Sequence, residues 1–312
     1  MLNKKKILVT GGGGLVGSAI NVISDAYPQY DLFFTTHKEH DLTQESVVKD
    51  LFESVKPDYA IHTAAFVGGI GRNLASPAQQ YYQNILMNSF VIHHAYLSGV
   101  TKLISFSSVC AFPDKVSIMK EDILHDGPPH SSYFSYAYSK RMVDVQTKAY
   151  NQEYGTKYST VIPGNIYGER DNYNLEYGHV IPSLVHKCYL AKRDNKPLSI
   201  WGDGSALREF LYSEDVARLT LELFNDELDL PPTIIVSSSE EIQIKKIVKM
   251  ICDAFDYHHV VWETEKPNGQ YRRPTNKHIL NTLLPEFIFI DLETGINKTV
   301  RWFIENYPKV RL

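Results

Sequence analysis

Three polar side chains, Ser108, Tyr136 and Lys140, have the types and the spacing needed to reduce a carbonyl group. Tyr136 and Lys140 are one helical turn apart, so both side chains point from the same helix face. A tyrosine can give its proton to a carbonyl oxygen as hydride arrives, and a neighbouring ammonium lowers the pKa of the phenol. A serine hydroxyl can hold the same oxygen. The structural alternatives are a buried tyrosine with a bonded hydroxyl, a surface lysine and a strand-end serine.

The stretch TGGGGLVGSAI follows the first apolar run and places Gly11, Gly14 and Gly17 at the spacing G-x-x-G-x-x-G. Glycine allows a tight turn with positive φ, which brings backbone N–H groups and a helix N-terminus close to a pyrophosphate. The pattern therefore predicts a dinucleotide site that would supply the hydride. A glycine-rich turn without a ligand is the alternative interpretation.

The end of the second predicted strand distinguishes between the two nicotinamide dinucleotides. An acidic residue there would bind the ribose 2′-hydroxyl of NAD, but the sequence reads Thr35, Thr36, His37 and Lys38. Hydroxyls with a cation suit a 2′-phosphate, so the predicted cofactor is NADP(H). Asp41 comes late for the ribose role.

A parallel sheet is needed to bring these residues together, and the first half of the chain has the corresponding pattern. Segments of helical periodicity separate five short apolar runs, at 5–10, 31–35, 58–65, 102–108 and 158–163. Ser108 then stands at the carboxyl end of the fourth strand, where open α/β sheets bind ligands. The predicted fold is α/β, a Rossmann-type doubly wound parallel sheet with a smaller C-terminal α/β lobe.

The alternation breaks after Pro163, where tyrosine, asparagine and glycine become frequent. We predict a dinucleotide-binding domain over 1–163 to which 207–230 returns. The segments 164–206 and 231–312 are predicted to form the smaller lobe.

Composition excludes several classes of partner. The 312 residues carry a net charge of −4 with a pI near 6.3, which gives no reason to expect nucleic acid or an anionic membrane. No apolar stretch approaches the ~20 residues that cross a bilayer. Cys110, Cys188 and Cys252 are too few and too scattered for a disulfide framework or a structural metal site, so no metal is predicted. The expected location is the cytoplasm.

The chain resembles the extended short-chain dehydrogenase/reductases, and among them the GDP-L-fucose synthases, nearly from end to end. The matching blocks include TGGGGLVGSAI, AAFVGGIGRN, SSVCAFP, DNYNLEYGHVIP, WGDGSALREF and KPNGQYRR. The resemblance implies an NADPH-dependent epimerase and reductase that converts GDP-4-keto-6-deoxymannose to GDP-L-fucose. Reduction would use Ser108, Tyr136 and Lys140, and epimerisation would use Cys110 and His179.

The implied roles of Cys110 and His179 suit a 4-keto sugar. The ketone acidifies the protons on C3 and C5, so a cysteine can remove one and a histidine on the other face can return it with inversion. Packing is the alternative for Cys110, because free cysteine is commonly buried, and a structural role is the alternative for His179. Cys188 and Cys252 lie in apolar helical patterns and are predicted to pack.

The resemblance also implies the remaining contacts of both ligands. Besides the glycines and the turn after the second strand, the cofactor would contact Leu15, Val16 and Ala64. The smaller lobe would bind the GDP-4-keto-sugar through Asn165, Lys187, Trp201, Arg208 and Lys266. A homodimer is implied, packed through the helices near 80–98 and 134–153.

Three positions depart from the family pattern near the sugar or nucleotide: Phe66, Gly164 and Asn268. They leave open a second hypothesis, a reductase without epimerase activity that acts on a related GDP-4-keto-sugar such as a modified GDP-heptose. A third hypothesis, a non-catalytic NADP-binding regulator, does not require the Tyr136 and Lys140 that this chain retains.

Overall fold

A computed structural model describes residues 4–238, 240–266 and 271–312. The strands are β1 (Lys5–Thr10), β2 (Tyr30–Thr35), β3 (Tyr59–His62), β4 (Lys102–Phe106), β5 (Lys157–Pro163), β6 (Asn165–Tyr167), β7 (Leu198–Trp201), β8 (Leu207–Tyr212), β9 (Thr233–Val236), β10 (Glu241–Gln243) and β11 (Val260–Glu263). The α-helices are α1 (Leu15–Ile23), α2 (Glu45–Val55), α3 (Ile70–Ala75), α4 (Pro77–Leu97), α5 (Phe134–Tyr154), α6 (Val180–Asp194), α7 (Ser213–Glu222), α8 (Ile244–Phe255), α9 (His278–Leu283) and α10 (Leu292–Asn306). Of the helices within these ranges, none has the length and apolar character to cross a bilayer.

Six parallel strands form the central sheet, in the order β2-β1-β3-β4-β5-β9. Alternate residues of a strand face opposite sides of the sheet. Ile7 and Val9 therefore pack with α1, α7 and α9, whereas Leu8 packs with α2, α4 and α5. Both faces are covered by helices, which confirms the predicted doubly wound α/β fold.

A second core lies between α6, α8 and α10 and two small sheets. One sheet has the order β10-β8-β6, and the other pairs β11 with β7. Cys188 and Cys252 are free and buried in this core beside residues such as Phe303. The packing predicted for these two cysteines is confirmed.

The chain passes between the two cores several times. Within 207–230, β8 belongs to a small sheet while α7 packs against α1. The strand β9 follows and completes the large sheet, with α9 packed on it. The lobe boundaries drawn from the sequence stay a prediction.

Candidate active site

The glycine turn after β1 is closed by backbone contacts that leave no room for side chains. Gly11 has a φ of +73°, and a Cβ there would lie 2.8 Å from the backbone nitrogen of Ala64. A Cβ on Gly17 would overlap the carbonyl oxygen of Gly11. Gly14 caps α1 without a side-chain hydrogen bond, so the first N–H groups of the helix can meet an anion.

The other residues predicted to bind the cofactor surround this turn in different ways. Leu15 is half-buried and Val16 is buried in the core under α1. Thr35 is buried, and its hydroxyl lies 2.6 Å from Nδ1 of His40, so it is already bonded within the protein. His37 and Lys38 are exposed beyond the end of β2 and can reach a phosphate.

Ser108 and Cys110 lie together on the short turn that follows β4. The Ser108 hydroxyl accepts a hydrogen bond from the backbone N–H of Cys110 at 3.2 Å. This bond caps the single 3₁₀ turn Val109–Ala111. Both side chains are half-buried, so the turn presents a hydroxyl and a thiol at the carboxyl edge of the sheet.

Tyr136, in the first turn of α5, faces both of those groups. Burial raises the pKa of its phenol, a negative charge on Cys110 raises it further, and a hydrogen bond from Ser108 lowers it. Burial has the largest effect on this pKa, so Tyr136 is held in the protonated form that an acid needs. The lowering of the phenol pKa by Lys140 stays a prediction.

Lys140 is directed to the end of β4. Its ammonium donates a hydrogen bond to the Phe106 carbonyl oxygen at 2.8 Å, and burial lowers its pKa to about 8. His62, at the end of β3, is buried beside this cation; burial and the Lys140 charge lower its pKa to about 3. The imidazole is therefore neutral, and it is bonded to Thr10 and Asn88.

His179 is exposed at the residue that precedes α6. Residues 66–72 hold the segment before it. The Gly69 N–H donates to the Tyr177 carbonyl at 2.7 Å, and the Arg72 guanidinium lies between the rings of Phe66 and Tyr177, 5.1 and 5.0 Å from their centres. These contacts hold the backbone two residues before His179, and they give Phe66 a structural role.

A carboxylate that the sequence did not single out lies near His179. Asp171 is buried, and burial raises its pKa while the charge of His179 lowers it. Its Oδ1 accepts the Asn172 N–H at 2.6 Å, and its Oδ2 has no hydrogen-bond partner among the residues that the structure describes. The sequence signal was the block DNYNLEYGHVIP, in which an aspartate precedes the histidine by eight positions.

The residues predicted to bind the sugar nucleotide lie on β6, α6, β7 and β8 and in the segment after β11. Asn165 donates to the Glu209 carbonyl at 2.8 Å, next to Arg208 on β8. Lys266 lies 5.7 Å from the centre of the exposed Trp201 ring. Lys187 is half-buried on α6.

Gly164 is buried, and Asn268 lies outside the described residues. Within the described part of the chain, no group of three or more histidine, cysteine or acidic side chains could hold a metal ion.

Arg208 has a cationic neighbour that sequence analysis missed. Burial lowers the pKa of Arg208, and the charge of Arg273 lowers it further. Arg273 lies in the block KPNGQYRR, where exposed cations are common, and nothing in the spacing separates it from Arg272. Only the tertiary contacts distinguish the two.

The comparisons with known proteins agree along the whole chain. Residues 7–236 match the model of the NAD dependent epimerase/dehydratase family. A GDP-L-fucose synthase of Dictyostelium discoideum is 38% identical over 99% of this chain and 98% of its own length. A probable GDP-L-fucose synthase of Drosophila melanogaster is 40% identical over 98% of this chain and 99% of its own. A crystal structure of a GDP-L-fucose synthetase from Naegleria fowleri bound to NADP has a TM-score of 0.94 and 38% identity, covering 100% of this chain and 96% of that one.

Proposed function

This chain belongs to the GDP-L-fucose synthases of the NAD dependent epimerase/dehydratase family, and we propose that it is an NADPH-dependent 3,5-epimerase and 4-reductase. Its substrate is GDP-4-keto-6-deoxymannose and its product GDP-L-fucose. The observation that supports this most directly is the turn after β4, which presents Ser108 and Cys110 together beside Tyr136. One position on the sheet edge thus has groups for both reduction and inversion.

The glycine turn fits a dinucleotide, because the missing Cβ atoms at Gly11 and Gly17 let the turn pack closely against the protein backbone and leave the N-terminus of α1 open to a pyrophosphate. NADPH, when bound, supplies the hydride that reduces C4. His37 and Lys38 would hold the 2′-phosphate, since both are exposed at the end of β2 and the Thr35 hydroxyl is bonded elsewhere. Ala64 forms the other wall of the turn.

In the reduction, Tyr136 gives its proton to the C4 oxygen. Its raised pKa keeps the phenol protonated until negative charge develops on that oxygen. The Ser108 hydroxyl lies near enough to the phenol to lower its pKa, so it is placed to hold the substrate oxygen too. The Lys140 ammonium is bonded to the carbonyl of Phe106, the last residue of β4, so its positive charge lies at the carboxyl end of that strand.

In the inversion, Cys110 removes a proton from C3 or C5, and the electron pair of the broken C–H bond moves onto the C4 oxygen as an enolate. A proton from His179 then bonds to the opposite face of the same carbon, and the ketone re-forms. Asp171 lies close enough to His179 for their charges to interact, since the charge of His179 lowers the pKa of the Asp171 carboxyl. The retained pair of Cys110 and His179 favours this function over a reductase alone.

The smaller lobe binds the rest of the substrate. Arg208 and Lys187 neutralise the diphosphate, and Asn165 is fixed beside Arg208 by its bond to Glu209. Trp201 offers an exposed ring for the base, with Lys266 beside it.

Deuterium exchange tests the function directly. The purified protein is incubated with NADPH and GDP-4-keto-6-deoxymannose in deuterated water, and NADPH oxidation and ring deuterium are followed. Deuterium at C3 and C5 with NADPH consumption is the expected result. Consumption without ring deuterium would select the reductase hypothesis, and no turnover of any GDP-keto-sugar would favour the regulator.

Two variants separate the half-reactions. Tyr136→Phe removes only the acidic hydroxyl, so it should stop NADPH consumption and leave exchange. Cys110→Ser should abolish exchange and leave the oxidation of GDP-L-fucose by NADP⁺, which needs no inversion. If Cys110→Ser keeps full exchange, the cysteine has only a packing role.

We also propose that the protein is a homodimer through α4 and α5; its cytoplasmic location stays a prediction. These helices pack together and expose apolar residues, among them Phe134 and Tyr138, around a cavity of about 550 Å³. A second copy would bury them. Sedimentation should show a dimer that Tyr138→Asp dissociates, whereas Val22→Asp, at an exposed position on α1, should not.

A further inference from the structure

Arg273 joins the two segments that carry the reacting side chains. Its Nη2 donates to the carbonyl oxygen of Val109 at 3.2 Å, one residue before Cys110. Its Nη1 donates to the hydroxyl of Tyr133 at 2.6 Å, three residues before Tyr136. One guanidinium thereby bridges the thiol-bearing turn and the start of α5.

The backbone that carries Arg273 is itself anchored. Thr275 donates two hydrogen bonds to the buried Glu209, from its N–H at 3.0 Å and from its hydroxyl at 2.6 Å. The Met119 N–H donates to the Pro274 carbonyl, and the Asn276 N–H donates to the Met119 carbonyl, both at 2.9 Å. The backbone that follows Arg273 is therefore held by the fold, which limits the positions that its guanidinium can take.

Tyr133 is a neutral, well-held acceptor for the Arg273 guanidinium. Burial raises the pKa of Tyr133 to about 12 even though Arg273 lowers it, and negative charge on Cys110 or Asp114 raises it. The phenol is thus neutral, and its oxygen accepts from Arg273. Its ring stacks on His130, with the ring centres 5.3 Å apart, which holds the hydroxyl in place.

Resting on the function proposed above, we propose that Arg273, held by Tyr133, is a positioning residue for the inversion and not for the hydride step. It fixes the turn Val109–Ala111, so the Cys110 sulfur meets the C–H bond in line. The hydride step depends less on this bridge, because Ser108 comes before Val109 and only two residues after β4, Tyr136 lies within α5, and Lys140 is bonded to the Phe106 carbonyl.

The test measures two reactions of the same variants. The first is ring deuterium incorporation from deuterated water into GDP-4-keto-6-deoxymannose. The second is oxidation of GDP-L-fucose by NADP⁺ in a single turnover, which involves C4 only. Arg273→Met should slow the first about 100-fold, the scale of a reacting atom displaced by about 1 Å, and leave the second within about threefold.

Graded variants and a matched control accompany this one. Tyr133→Phe removes a single hydroxyl and should slow exchange about tenfold. Arg273→Lys keeps the charge but makes one bond at a time, so its exchange rate should lie between those of Tyr133→Phe and Arg273→Met. Arg272→Met is the control: this neighbouring arginine is exposed and paired with Glu241, and it should change neither reaction.

Equal losses of both reactions in Arg273→Met and Tyr133→Phe would overturn the proposal, since they would mean that Arg273 binds the diphosphate or supports the fold. Unchanged exchange in Arg273→Met would overturn it as well. A wild-type protein that is inactive in both assays would instead overturn the proposed function, and the role of Arg273 with it.

Discussion

Replacing Lys140 by methionine should stabilise the folded protein at neutral pH while it abolishes reduction. Lys140 is 1% exposed, and burial lowers its pKa to about 8 from an ordinary 10.5. The difference of ~2.5 pKa units corresponds to about 3 kcal/mol, at ~1.4 kcal/mol per unit. The side chain is fully enclosed, so solvent does not screen this cost.

The pH dependence has a definite sign. Between the folded pKa of about 8 and the ordinary value of 10.5, the unfolded chain keeps a proton that the folded chain has lost. The free energy of unfolding of the wild type therefore rises with pH in this window. At pH values below the window, the buried ammonium destabilises the folded protein by the full amount. The methionine variant has no titrating group at position 140. Its advantage over the wild type should thus shrink by roughly 2.5 kcal/mol between about pH 7 and about pH 10.

Urea unfolding of both proteins at these two pH values measures the effect. Losing the hydrogen bond to the Phe106 carbonyl offsets about 1 kcal/mol of the gain, so the comparison between pH values is more informative than either value alone. Lys246→Met, at an exposed position of α8, should differ from the wild type by the same amount at both. An advantage of Lys140→Met that does not change with pH would refute the assignment of a buried, strained ammonium.

Three further changes test separate parts of the site. Gly17→Ala forces a Cβ into the glycine turn and should weaken NADP⁺ binding at least ~10-fold in a fluorescence titration; unchanged affinity would mean that the turn does not carry the cofactor. Asp171→Asn removes a buried charge beside His179, so it should slow ring deuterium exchange and raise the urea midpoint at neutral pH; faster exchange would contradict its supporting role. Cys110→Ser removes a group whose ionised form raises the pKa of Tyr136, so the alkaline limb of the pH profile of GDP-L-fucose oxidation should move to lower pH, and a fixed profile would contradict the coupling.

The sequence predicted the large sheet well because each of its features is local. Apolar runs of β1 to β5, a glycine turn and helical periodicity are all visible within a few residues, and together they require parallel strands with helices on both faces. The last strand, β9, is separated from β5 by three strands and two helices, and its short run TIIV has no flanking repeat to mark it. Pairing at such a distance is set by tertiary packing.

The site was predictable to the extent that its residues stand in motifs. Ser108, Cys110 and Tyr136 do, and the structure brings them together. Arg273 and Asp171 could not be separated from ordinary surface charges, because their environment is created by chain segments far away in sequence. The hydrogen bond from Lys140 to the Phe106 carbonyl was not predictable for the same reason, since that carbonyl belongs to another element.

The electrostatic interaction between Cys110 and Tyr136 bears on the order of the two reactions. While the sulfur carries negative charge, the pKa of the phenol is raised further, and the phenol is then a poor acid for C4. Once Cys110 has taken a proton from the ring, that charge is gone from the turn and the phenol can release its proton more easily. Premature reduction would also remove the ketone that acidifies C3 and C5. The same electrostatic coupling therefore favours inversion while the ketone is present and reduction after it, without any movement of the protein.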